Sequence, residues 1–166
     1  ENQVESIRQL EELFTTLNRS LHRILDRRTF VCFTIGELVP ASRTLTLANG
    51  GNPYPYHFRA ASGEFEQLKI TASPLGMRAR TRYGTLAVDL EPGDRIVFCS
   101  DGIVEAGNEA EELFGFERIA ATIRQGCADD LSSEDLLQYL LAAVEKFTGD
   151  VPRADDQTVV VLTVQK

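Results

Sequence analysis

The 166 residues carry a net charge of −8, with 43% apolar and 25% charged side chains, a balance that excludes a disordered chain and leaves enough apolar material for a real core. So acidic a chain argues against nucleic acid, whose phosphates call for a basic stripe, and no apolar run reaches membrane length. Cys32, Cys99 and Cys127 are odd in number, widely spaced and without a CxxC pair, so they suggest neither a disulfide framework nor a zinc site.

These features fit a single cytosolic domain over residues 1–166. The sequence itself shows no signal-peptide pattern. The chain begins with Glu1 rather than Met, as expected of a piece of a longer protein.

In chain order, residues 2–25 read as an amphipathic helix. Val4, Ile7, Leu10, Leu13, Phe14, Leu17, Leu21, Ile24 and Leu25 recur at spacings of three and four, while Glu11, Glu12, Asn18 and Arg19 fill the polar face. His22 reads as a surface or helix-end side chain. Thr29 to Leu38 reads as a strand, and its nearly continuously apolar run Phe30–Ile35 should make it central. Arg43 to Leu47 alternates, with Leu45 and Leu47 inward and Thr44 and Thr46 outward, giving an antiparallel hairpin with one wetter face.

Asn49-Gly50-Gly51-Asn52 breaks the pattern. It reads either as a plain loop or as a rim loop whose backbone comes close to a ligand. Tyr54 to Phe58 is a short strand with His57 on its wet side, and Glu64 to Ile70 is another. Arg78, Arg80 and Arg82 follow a kinked Ser73–Met77 loop. They read as a solvated strand face or as a contact for an anionic substrate. Thr85 to Leu90 alternates again.

The stretch from Leu90 to Gly115 organises the chain. A Glu91-Pro92-Gly93-Asp94 turn leads into Arg95–Cys99, an apolar run that reads as a strand buried on both faces. Ser100-Asp101-Gly102 follows at once. A carboxylate at the mouth of a buried strand needs a partner: an Asx-capped turn supplies one, a hard divalent cation another. The acidic loop from Glu105 to Phe114 has few anchors before Phe114 and reads as a mobile gate. Residues 116–125 form a helix with Phe116, Ile119, Ala120 and Ile123 buried, stopped by Gly126. Ser132-x-x-Asp135 caps the next helix, which carries Leu136, Leu140, Val144 and Phe147 inward. In the tail, Asp155-Asp156 precedes Val159–Val164, a buried strand. Were that strand antiparallel to 95–99, Asp101 and Asp155 would reach the same sheet edge, where two carboxylates repel unless a proton or a cation intervenes.

The order ANGGNPYPY, SPLGM, GDRIVFCSDGIVEA, ELFGFERI and DDQTVVVL resembles the SpoIIE-type (RsbU-like) branch of the metal-dependent protein serine/threonine phosphatases, the PPM family, through essentially the whole chain. The resemblance implies an α+β fold, an α/β/β/α sandwich of two antiparallel sheets flanked by helices. It also implies a two-metal Mg²⁺ or Mn²⁺ site that activates water for attack on phosphoserine or phosphothreonine, with no catalytic residue beyond the metal ligands. Asp101 and Asp155 match metal-ligand aspartates, and Gly102 matches the glycine beside the first. Asp156, Asn49 and Asn52 fall where side chains would stand behind the metal ligands or on the rim of the site. The family loop reads Asn-Ala-Gly-His, whereas here Asn52 stands in place of the His. The family's earlier strands, with an Asp-x-x-Gly-x-Gly turn, have no counterpart, so the chain resembles the C-terminal two-thirds of such a domain. The metal pair is then expected only in the intact domain, and exposed sheet edges should favour self-association. The substrate implied is a phosphorylated regulatory protein of anti-anti-sigma type.

Two rival readings differ in class. A haloacid-dehalogenase-like hydrolase would need a nucleophilic Asp where Cys99 stands. A non-catalytic regulatory or interaction module on a phosphatase fold remains the alternative.

Overall fold

The computed structural model describes residues 2–165, and within that span the side chains of Asn2, Gln3, Val4 and Ser6 lie outside what is described. The Val4 side chain of the apolar stripe therefore falls outside it. The chain forms two compact units, Glu1–Asn52 with Lys69–Leu90 and Pro53–Leu68 with Glu91–Lys166.

The first unit is a helix on a three-stranded sheet. Helix α1 spans Asn2–Ile24. Strands β1 (Phe33–Val39), β2 (Thr44–Gly50) and β5 (Thr85–Asp89) pair antiparallel in the order β1-β2-β5. Leu45 faces Leu38 on one side and Val88 on the other. The α1 stripe closes over this sheet: Leu10, Phe14, Ala48, Leu75 and Tyr83 form the core, with the Phe14 ring 5.5 Å from Phe33 and 5.3 Å from Tyr83.

Several expectations change here. The strand read from Thr29 begins only at Phe33, and it is an outer strand, not a central one. β2 takes the middle and is buried along its whole length, Thr44 and Thr46 included. Both faces of β2 are covered here, so its threonines need polar partners, and the Thr44 hydroxyl donates to Asp89 Oδ1 at 3.1 Å. On α1, Leu13 and Ile24 are exposed while Asn18 is buried. The Asn18 amide makes three hydrogen bonds, donating to the Arg78 carbonyl and accepting from the Gly76 N–H and the Tyr83 hydroxyl.

The second unit is a four-stranded antiparallel sheet in the order β4-β3-β6-β7: Phe65–Gln67, Tyr56–Phe58, Arg95–Cys99 and Val159–Thr163. Helix α2 (Asp101–Val104) follows β6 directly, and α3 (Gly115–Ala128) and α4 (Ser133–Thr148) supply the apolar cover. Tyr56, Val97, Ile103, Ile119, Ile123, Leu136, Leu140 and Val144 share one core. The capping box is present, the Asp135 N–H donating to Ser132 Oγ at 3.1 Å.

Four readings change in this unit. β7 is an outer strand with Val160 52% exposed. Phe116 is exposed. Gly126 does not stop α3 but lies inside it, where a Cβ would meet Leu136 Cδ1 at 2.6 Å; the glycine serves helix packing, not termination. His57 is fully buried rather than wet, with Nε2 3.1 Å from Asp94 Oδ2. Asp94 also accepts the Ala60 and Glu91 N–H groups, so it ties the turn before β6 to the end of β3.

Candidate active site

The site begins where β6 ends. Because β6 and β7 run antiparallel with Cys99 opposite Val159, the residues leaving one strand meet those entering the other. Ser100 joins the two stretches. Its N–H donates to the Thr158 carbonyl at 2.9 Å. Its hydroxyl accepts the Thr158 N–H at 3.0 Å and donates to the Asp156 carbonyl at 3.1 Å. Sequence reading passed over this serine, although a hydroxyl between a buried strand and Asp-Gly was the available signal.

Gly102 completes the closure. It is buried, and a Cβ there would run into the Asp156 carbonyl. Only glycine lets the Asp155–Asp156 backbone come this close. Asp101 and Asp155 therefore stand on two segments fastened together at one end of the sheet. Asp101 Oδ1 accepts the Gly102 N–H at 3.0 Å, and Asp155 Oδ1 accepts the Asp156 N–H at 2.7 Å. Both bonds are local and hold each carboxylate without consuming it. Asp156 contributes its backbone: its carbonyl meets Ser100, and its carboxylate is exposed.

A cavity of about 170 Å³ opens beside these residues, walled by Gly102, Glu105, Gly107, Thr148, Arg153 and Asp155. The loop beyond it is better anchored than its composition suggested. Gly107 bridges Leu113, the Phe114 N–H donates to the Ala106 carbonyl at 2.8 Å, and Asn108 Oδ1 accepts the Ala110 and Glu112 N–H groups. Ala106 and Phe114 are both buried. Cys99, two residues before Asp101, is no nucleophile: burial pushes its thiol up to about 12.

Asn49 and Asn52 lie in the first unit. Asn49 is buried, donates to the Asn52 carbonyl at 2.9 Å and accepts the Thr34 hydroxyl at 2.8 Å, while Asn52 Nδ2 donates to Thr34 Oγ1. Their polar groups close the turn.

The donor chemistry suits Mg²⁺ or Mn²⁺, since carboxylates are hard oxygen ligands. The donor number does not. Among the described residues no group of three or more His, Cys, Asp or Glu could hold a metal ion. Asp101 and Asp155 offer donors of the right type but fewer than a metal's shell needs. Among the described residues, too, no helix is long and apolar enough to cross a membrane.

Comparison with known proteins agrees with this architecture. The SiaA-PP2C domain of Pseudomonas aeruginosa superimposes with a TM-score of 0.74 at 21% identity, over 89% of this chain and 58% of that one. A manganese-presoaked form of the phosphatase domain of the cell fate determinant SpoIIE from Bacillus subtilis gives 0.58 at 15% identity, over 81% of this chain and 56% of that one. Protein IcfG of Synechocystis is 24% identical over 98 residues, 59% of this chain and 15% of that protein. The chain thus spans less than two thirds of each. The structural likenesses show the fold, a mixed α/β one with two antiparallel sheets and helices as in PP2C phosphatase domains. The family model of Stage II sporulation protein E (SpoIIE) matches residues 1–165, and this chain belongs to that SpoIIE family.

Proposed function

We propose that this chain carries the Asp101–Asp155 ligand pair of a metal-dependent phosphoserine/phosphothreonine phosphatase, whose substrate is a phosphorylated regulatory protein of anti-anti-sigma type. Membership of the SpoIIE family and the PP2C fold support phosphatase-type function. The observation that carries the site is the closure of Ser100–Gly102 on Asp155–Thr158, which brings two aspartates to one end of one sheet. The manganese presoak of the SpoIIE phosphatase domain from Bacillus subtilis is in keeping with Mn²⁺ or Mg²⁺ as the ion.

Bound cations would supply neutralisation of phosphoryl charge and a more acidic water. The chain's own contribution is placement. Ser100 and Gly102 set the separation of the two segments, and Asp101 and Asp155 present hard anionic oxygens. Further oxygen ligands come from outside these two residues. With Cys99 held protonated by burial, no covalent thiol intermediate is part of the reading.

The test is hydrolysis of a phosphoserine peptide in Mn²⁺ by the longest protein containing this domain. Asp101→Asn and Asp155→Asn should each reduce kcat/KM by about 100-fold or more with the melting temperature unchanged, a loss of about 2.7 kcal/mol of transition-state stabilisation. Turnover retained in either variant refutes its ligand role. The absence of a three-donor group among the described residues favours one other reading, a non-catalytic interaction module on the same fold, which predicts no turnover in the parent protein at all.

A further inference from the structure

The −8 of the chain is not spread evenly. The first unit holds ten Lys/Arg against seven Asp/Glu, hence +3; the second holds seven against eighteen, hence −11; together they give −8. Three of the first unit's cations, Arg78, Arg80 and Arg82, sit exposed on one short loop that holds no acidic residue. Ion pairs occur elsewhere among the described residues, at Arg8, Arg59, Arg95 and Arg118. The three loop arginines have none.

This loop is built, not slack. Asn18 of α1, 2% exposed, donates Nδ2 to the Arg78 carbonyl at 2.9 Å. Its Oδ1 accepts the Gly76 N–H at 2.9 Å and the Tyr83 hydroxyl at 3.0 Å. His22 Nδ1 lies 2.8 Å from the Gly76 carbonyl. Both ends of the arginine run are therefore fastened to α1. Between helix and loop opens a groove of about 850 Å³, walled by Arg8, Arg19 and Arg82 and by the hydroxyls of Thr15, Thr16 and Thr81. Glu11 and Glu12 stand in the same wall.

We propose that this groove, with the arginines along its loop, docks an acidic segment of a partner protein. The inference stands on the first unit alone and does not depend on the phosphatase reading. A guanidinium presents a planar fork that matches a carboxylate in bidentate fashion. A run of such forks on a backbone already fixed by Asn18 loses little further freedom on binding. The groove volume lies in the range that encloses a ligand rather than a lone ion. The mixed lining selects a polypeptide over other polyanions. Glu11 and Glu12 repel a continuous phosphate backbone, whereas a peptide can turn amide N–H groups toward them. The arginine loop also carries no aromatic run to stack bases. A concave groove holding two carboxylates presents no uniform cationic face to an anionic bilayer.

The experiment uses the whole chain and a fluorescein-labelled dodecapeptide of alternating Glu and Ser, followed by anisotropy at low and at physiological salt. Binding should weaken with salt. Replacing Arg78, Arg80 and Arg82 together by Ala should weaken it at least tenfold. A charge-matched control, in which the exposed Arg43, Lys69 and Lys146 become Ala, should leave it within about twofold. The melting temperatures of both triples verify folding. Three outcomes overturn the proposal. The peptide fails to bind at hundreds of micromolar; both triples lose affinity equally, which marks diffuse charge rather than a site; or a twelve-base-pair duplex or a phosphatidylserine vesicle binds through the same arginines more tightly than the peptide.

Discussion

At the scale of single residues, Gly102 carries most of the local argument. Its missing Cβ is what lets the Asp156 carbonyl approach, so Gly102→Ala must push apart the two segments that Ser100 joins. The expected cost is about 1–3 kcal/mol in a urea melt, typical of overpacking a tight site; an unchanged midpoint would show that the closure is looser than described. Cys99 and Tyr56 give a second prediction. Burial raises the Cys99 thiol from 9.0 to about 12 and the Tyr56 phenol from 10.0 to about 12. The unfolded chain releases these protons first, so between about pH 9 and 12 the folded state binds more protons and stability falls as pH rises. Well below pH 9, where both groups are protonated in the folded and the unfolded chain, neither contributes a slope. Cys99→Ala should flatten the alkaline decline, and an unaltered slope would count against a buried thiol. Some of this was legible beforehand: an antiparallel pairing of the strands at 95–99 and 159–164 was enough to bring the stretches holding Asp101 and Asp155 to one sheet edge. The roles of Ser100 and Asn18 were not legible. A serine at a strand end and an asparagine on a helix both read as solvated until the backbone groups they bond are known.

The elements show what periodicity resolves and what it leaves open. α1 and α4 were legible because a 3.6-residue stripe continues through each, and α4 also has a start signal. Ser132→Ala should cost about 1 kcal/mol by removing the bond from the Asp135 N–H, read as a shift in the urea midpoint with an unchanged slope. No shift would mean that the cap is replaced by solvent. The strands were found at nearly correct places but misjudged in rank. Phe30–Ile35 and Val159–Val164 look equally apolar along the chain, yet β1 and β7 are outer strands, while β2, with three threonine and asparagine positions, is the buried middle. Strand order is set by partners distant in sequence, and apolar content alone does not encode it. For the same reason His57 was read as wet: alternation in β3 predicted a face, but its partner Asp94 lies 37 residues away.

For the molecule as a whole, total charge hid the more useful quantity. A net −8 argued against nucleic acid, but the sum conceals a +3 unit and a −11 unit, and the boundary between them follows contacts that the linear order does not show. Family membership was legible because several short motifs kept their order; the number of metal ligands brought together was not, because that depends on side chains converging in space. The central claim is that Asp101 and Asp155 serve one cation site jointly. Calorimetric titration of Mn²⁺ tests it most directly, made on the longest protein containing this domain as parent, Asp101→Asn, Asp155→Asn and the double variant, with the 166-residue chain alongside. Residues 1–166 by themselves should bind weakly, for want of a third protein donor. In the longer protein each single substitution should lower Mn²⁺ affinity at least tenfold, about 1.4 kcal/mol, and the double should cost clearly less than the two losses added, because both act on the same ions. Unchanged affinity in either single variant, or two losses that simply add, would contradict the claim.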